Sequence, residues 1–148
     1  MGTRYAGPPE EVRALNVYIK LMRAAQSVST RIHQHLQAAD LTVSQFAVLE
    51  ALLHLGPLAQ RDLCAKLLQS GGNMTLVVQN LERQGWIDRA RDPANRRLMI
   101  VTLTPAGRRL IQRVFPVHAR AVARDLAVLT PREQQVLARL LKRLGLRG

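Results

Sequence analysis

The densest chemistry in the chain is four arginines in the stretch 89–97: Arg89, Arg91, Arg96 and Arg97. A guanidinium is a planar fork that donates in pairs, which suits phosphate oxygens and base edges. Just before them, Met74 to Gln84 carries Met74, Val77, Val78 and Leu81 at i, i+3, i+4 and i+7, with Thr75, Leu76, Gln79 and Arg83 opposite. That spacing predicts a helix with one face to pack and one free to read. Glutamine and asparagine can form two hydrogen bonds with adenine, and a leucine or a threonine methyl can pack on the methyl of thymine. Ser70, Gly72, Asn73, Thr75, Leu76, Gln79 and Arg83 are therefore the candidate DNA-contacting residues of the helix. Arg89, Arg91, Arg96 and Arg97 are those that follow it.

Other chemistries are poorly supplied. There is no glycine-rich phosphate loop, no Gly-x-Ser-x-Gly elbow and no His-Glu-x-x-His helix, so no catalytic residue is assigned and no enzyme is expected. Four histidines, His33, His35, His54 and His118, raise a metal site as a question. His33 and His35, two apart on a helix, would diverge by about 200°, so structural or solvated roles are expected, with no metal and no cofactor. The single cysteine, Cys64, excludes an internal disulfide and is expected to pack as a small apolar residue.

The elements that must position the candidates can be read around them. Ser70-Gly71-Gly72-Asn73 supplies cap-type residues before the reading helix, and Gly85 sits where a left-handed glycine would end it. Trp86 to Arg91, the turn residues Asp92 to Arg96, and Leu98 to Leu103 then read as strand, turn and strand. Leu58 to Leu68 is expected to form the preceding helix, with Leu63, Leu67 and Leu68 inward and Leu58 a candidate for a short strand against the hairpin. Helix, turn, helix and basic hairpin make a winged helix-turn-helix. Before it, a capping box at Thr42 to Gln45 opens a helix with Phe46, Leu49, Leu52 and Leu53 inward, stopped by Gly56-Pro57.

At the two ends, Glu10 to Ala39 shows apolar residues at three- and four-residue intervals. Thr104-Pro105 opens a helix to about Val128 that contains Pro116. Thr130-Pro131-Arg132-Glu133 caps a last helix striped by Val136, Leu137, Leu140, Leu141 and Leu144. These end helices carry more apolar surface than a small winged region can cover, which favours self-association. A symmetric dimer would also present two reading helices to successive major grooves.

With 148 residues and 47% hydrophobic content the chain is one domain's length with material for a core. Its 22 Lys and Arg against 10 Asp and Glu, a formal charge of +12, favour a polyanionic partner. No apolar run of membrane-spanning length is present, and residues 1–9 lack the apolar stretch of a secretory signal. A cytoplasmic protein with no membrane partner is expected.

Asp92-Pro93-Ala94-Asn95-Arg96-Arg97, followed by Val101-Thr102-Leu103-Thr104-Pro105-Ala106-Gly107, resembles the wing and next helix start of the multiple antibiotic resistance regulator (MarR) family. Gly72-Asn73-Met74-Thr75 and Leu81-Glu82-Arg83-Gln84-Gly85-Trp86-Ile87 resemble the two ends of that family's reading helix. Asn95 stands where members often carry an acidic residue, and Leu76 where they often carry a basic one. The resemblance implies a mainly α fold: a winged helix-turn-helix at 41–104 within a single domain 1–148, flanked by dimerisation helices at 10–39 and 105–146. It also implies that Arg97 is the wing arginine reaching toward the minor groove, with Asp92 left as its nearest carboxylate. Oxidant-sensing relatives tend to use a first-helix cysteine, which is missing here. The partners expected are double-stranded DNA, a second copy through the terminal helices, and a small-molecule effector whose site is left unassigned; Tyr18, His33, Arg113 and His118 are residues that could line one. The function expected is a homodimeric transcription regulator, a repressor released by ligand from a pseudo-palindromic operator. The alternative is a sequence-tolerant nucleic-acid-binding or chromatin protein.

Overall fold

The computed structural model describes residues 1–67 and 71–146. The first helix, α1, runs Pro9–Ile32 and continues as a 3-10 helix, His33–Ala39. There follow α2 (Val43–Leu55), β1 (Leu58–Ala59), α3 (Gln60–Leu67), α4 (Gly71–Arg83), β2 (Ile87–Arg91), β3 (Met99–Leu103), α5 (Pro105–Leu126) and α6 (Pro131–Gly145). The strands form one antiparallel sheet in the order β1-β3-β2. This is the mainly helical winged fold the sequence predicts, including the short strand at Leu58, which pairs with Val101. Among the described residues no single helix is long and apolar enough to cross a membrane.

The chain divides into two compact units, residues 35–119 and residues 1–34 with 120–148. The central unit holds the core. Phe46, Val48, Leu49 and Leu52 of α2 meet Leu63 of α3, Met74, Val77, Val78 and Leu81 of α4, Ile87, Val101 and Leu103 of the sheet, and Leu110, Ile111 and Val114 of α5. Within the stretch 105–146, expected as dimerisation helices, the first three turns of α5 pack into this core. Glu10 to Ala39, expected as one helix, tightens to 3-10 after Ile32. In a 3-10 helix residues three apart eclipse, so Leu36 and Ala39 stack on the same side, and both pack on the core.

Local signals account for the ends of the elements. Thr42 and Gln45 exchange both hydrogen bonds of a capping box at α2, and Thr130 and Glu133 do so at α6. Gly56 ends α2 with φ +77°. In the other unit Arg31 of α1 grips Asp125 of α5 through two hydrogen bonds, 2.5 and 3.0 Å. Its hydrogen bonds hold the Asp125 carboxyl below the ordinary range and raise the guanidinium pKa. Leu144 of α6 and Ala14, Val17, Tyr18 and Leu21 of α1 line a shared hollow of about 470 Å³. None of the described residues of α6 is buried, and its Leu137, Leu140, Leu141 and Leu144 stand exposed.

Candidate nucleic-acid interface

The reading helix is held from below by its own periodicity. Met74, Val77, Val78 and Leu81 are buried, which turns Gly72, Asn73, Leu76, Gln79 and Arg83 outward. Leu76 is 57% exposed, an apolar side chain held in water by the packing of its neighbours. The helix starts at Gly71 rather than at Met74, so Gly72 and Asn73 belong to its first turn and not to a preceding cap. The expected contact at Ser70 and the inward role of Leu68 lie outside the described residues. Thr75 is half-buried: its hydroxyl donates to the Gly71 carbonyl at 2.9 Å and accepts from the Gln60 amide at 3.1 Å, a bond between α3 and α4. Gln60 was not legible as a site residue, because its partner lies fifteen positions away on another helix.

Gly71 and Gly72 have no positive φ, and an added Cβ at either would meet nothing among the described residues within 4 Å. Glycine in a helix costs roughly 0.5 to 1 kcal/mol relative to alanine. At the first turn that cost is smaller than in a helix interior, and the two glycines leave the backbone there open.

The helix ends in a Schellman turn: the Trp86 amide donates to the Leu81 carbonyl and the Gly85 amide to the Glu82 carbonyl, both at 3.0 Å, with Gly85 at φ +80°. The hairpin follows in the register Ile87↔Leu103, Arg89↔Val101 and Arg91↔Met99. Period-two alternation puts Ile87, Arg89 and Arg91 on one face. Ile87 enters the core, and Arg91 stands exposed at the outer end.

The four wing arginines, alike in sequence, differ in structure. Arg89 closes a two-bond pair with Glu82 of α4, at 3.0 and 3.2 Å, and its side chain is only 22% exposed. Those bonds hold the Glu82 carboxyl below the ordinary range. Arg91 donates to the Arg96 carbonyl at 3.2 Å, inside the hairpin. Arg96 and Arg97 are exposed. The expected carboxylate for Arg97 does not serve it: Asp92 accepts the Ala94 amide at 3.0 Å, and Asn95 accepts the amide of Arg97 itself at 3.2 Å. Both side chains turn back on the loop backbone, as short polar residues in turns do, so Asn95 braces the wing without a charge.

Between α3, the start of α4 and the wing lies an open groove of about 460 Å³. Gln60, Arg61, Cys64, Gly71, Thr75, Arg89, Arg91 and Arg97 are among the residues that line it. Cys64 is half-buried and packs on the core, as expected. Arg61 joins the basic lining although its place in a short polar helix carried no signal. Elsewhere in the central unit His35 Nε2 and His118 Nδ1 lie 3.3 Å apart, and the His118 ring is 4.6 Å from that of Phe46. In the other unit His33 pairs with the Ser29 hydroxyl at 3.0 Å. Among the described residues no three His, Cys, Asp or Glu side chains are grouped to hold a metal ion.

Comparison with known proteins places these features in a family. The sequence profile of the MarR family matches residues 39–98. The chain is 37% identical over 138 residues to YkoM of Bacillus subtilis, an uncharacterised HTH-type transcriptional regulator, covering 93% of this chain and 90% of that one. It is 32% identical to the HTH-type transcriptional regulator MhqR of the same organism, over 90% and 92% of the two chains. Among solved structures, Bordetella bronchiseptica BpsR, whose DNA binding is regulated by 6-hydroxynicotinic acid, superimposes with a TM-score of 0.82 at 28% identity, over 89% of this chain and 94% of that one.

Proposed function

Because the chain belongs to the MarR family of DNA-binding, non-enzymatic transcription regulators, we propose that it acts as a cytoplasmic homodimeric repressor of a pseudo-palindromic operator, released by a small molecule. The observation that carries the DNA-reading half is the outward face of α4 beside the arginine-lined groove. Leu76 and Gln79 face outward with no role in the core, and helix side chains of this kind read base edges in a major groove. Gly72 and Asn73 at the first turn, with Ser70 before it, take the approaching backbone. Thr75 and Arg83 flank the reading pair, and Arg91, Arg96 and Arg97 extend the contact along the phosphates.

Self-association is supported by the uncovered leucines of α6, and release by a small molecule by the regulated DNA binding of BpsR. Binding of the full-length protein should be measured over a range of salt concentrations on two duplexes. One is selected by the protein from a randomised library, and the other is a scramble of the same composition. A repressor should prefer the selected duplex by roughly a thousandfold or more. A sequence-tolerant nucleic-acid-binding protein would show little preference, with the same steep loss of affinity in salt.

A further inference from the structure

Arg89 and Glu82 sit seven residues apart on either side of the Gly85 turn, one on β2 and one in the last turn of α4. We infer that this pair is a positioning clamp: it sets the wing against the reading helix and so determines sequence preference, while Arg89 itself makes no DNA contact. The inference rests on the DNA-reading proposal above.

Three observations lead there. Arg89 is the middle residue of the inward face of β2, between Ile87, anchored in the core, and Arg91, exposed at the outer end. The strand is paired along its length to β3, and Arg89 adds a side-chain tie from it to α4 in the hairpin that carries Arg91, Arg96 and Arg97. Second, its contact is a two-bond fork on one carboxylate. That geometry fixes orientation, whereas a single point contact would leave it to rotate. The covalent link, Gln84-Gly85-Trp86, has its own hydrogen bonds at the turn, but those reach no further than Trp86.

The third observation is the sign of the charge. Glu82 is an acidic residue three positions from Gln79 and next to Arg83, in a chain with 22 basic and 10 acidic residues. Toward a phosphate backbone a carboxylate there is repulsive, so on charge alone its removal should help binding to every duplex. A partly exposed pair of this kind adds only modestly to stability. A carboxylate whose loss weakens operator binding against that expectation acts through geometry.

The test uses the full-length protein and the selected and scrambled duplexes described above. Glu82→Gln, which raises the net charge by one, should lose about tenfold in preference for the selected duplex, a coupling of the size neighbouring residues show. Its affinity for the scrambled duplex should be unchanged or higher. The charge-reversed pair, Glu82→Arg with Arg89→Glu, should recover most of the lost preference. The clamp is overturned if Glu82→Gln keeps the wild-type preference. It is equally overturned if Arg89→Ala weakens both duplexes by the same factor with a salt slope shallower by about one, the mark of a phosphate contact. Absence of any preference in the wild-type protein would remove the DNA-reading proposal itself, and that arm is read before any variant.

Discussion

At the scale of single residues, the proposed interface separates exposed side chains from side chains bonded to others. Gln79 belongs to the first group, while its helical neighbours Val77 and Val78 are buried in the core. Gln79→Ala should cost about 1 to 3 kcal/mol at one base position and relax the preference there, leaving other positions unchanged. Binding to a panel of single-base operator variants checks this; an equal loss on every variant would make Gln79 a positioning residue. Thr75 and Arg89 belong to the second group, since the hydroxyl of one is bonded to Gln60 and Gly71 and the guanidinium of the other to Glu82. Composition and periodicity placed all these residues on the correct elements. They could not separate Arg89 from Arg97, because the difference lies in a partner across a turn rather than in the residue or its spacing. The same holds for Arg61, which joins the groove only through the packing of α3 beside the wing.

At the scale of elements, the junction of α4, β2 and α5 is closely knit by hydrogen bonds and close packing. The Thr104 amide donates to the Trp86 carbonyl at 3.1 Å, its hydroxyl donates to the Gly85 carbonyl at 2.6 Å, and the Gly107 amide donates to that hydroxyl at 3.0 Å. A Cβ on Gly107 would lie 1.9 Å from the Trp86 carbonyl oxygen, a backbone atom already fixed by Thr104. Gly107→Ala should destabilise by at least the roughly 1 to 3 kcal/mol typical of overpacking, read as a lower urea midpoint with the emission of Trp86 as the signal. The two ion pairs make a prediction about acid. Hydrogen bonds from Arg31 and Arg89 depress the carboxyls of Asp125 and Glu82 from ordinary values of 3.8 and 4.5. A depressed folded pKa stabilises fully above the ordinary value and is lost as pH falls through the folded one. Thermal midpoints should therefore feel no loss from these pairs between pH 7 and about 5, then fall below pH 4, and Asp125→Asn should flatten part of that fall. The helices were legible from their caps, at Thr42, Gly85, Thr104 and Thr130. The 3-10 segment at His33–Ala39 was not, because its apolar spacing also fits an α-helix and only the core decides where Leu36 and Ala39 must stack.

At the scale of the whole molecule, the leucine stripe of α6 lies outside the stretch of chain that supplies the core. The buried cluster draws on residues 36–114 with Phe115 packed against it, and none of its members comes from α6. Leu137, Leu140, Leu141 and Leu144 recur at i, i+3, i+4 and i+7 and are 40 to 49% exposed. A stripe of this kind is the surface through which the proposed dimer would form. Covering each leucine fully would contribute up to roughly 1.5 to 3 kcal/mol, so two of them are a large share of any dimer's stability. Leu140→Glu together with Leu141→Glu should turn the sedimenting species into a monomer. Because the core loses no member, the circular dichroism and the urea transition of the central unit should persist. Paired reading helices bind half-sites about one helical turn apart, so a monomer would lose one of two contacts at once. Operator affinity should fall by about a hundredfold or more, while affinity for a single half-site, measured on a duplex cut at the centre of the palindrome, should stay within a few-fold of wild type. An undisturbed dimer in the ultracentrifuge would mean that α6 is covered by something else. A monomer that still held the full operator at wild-type affinity would mean that one reading helix and one wing suffice.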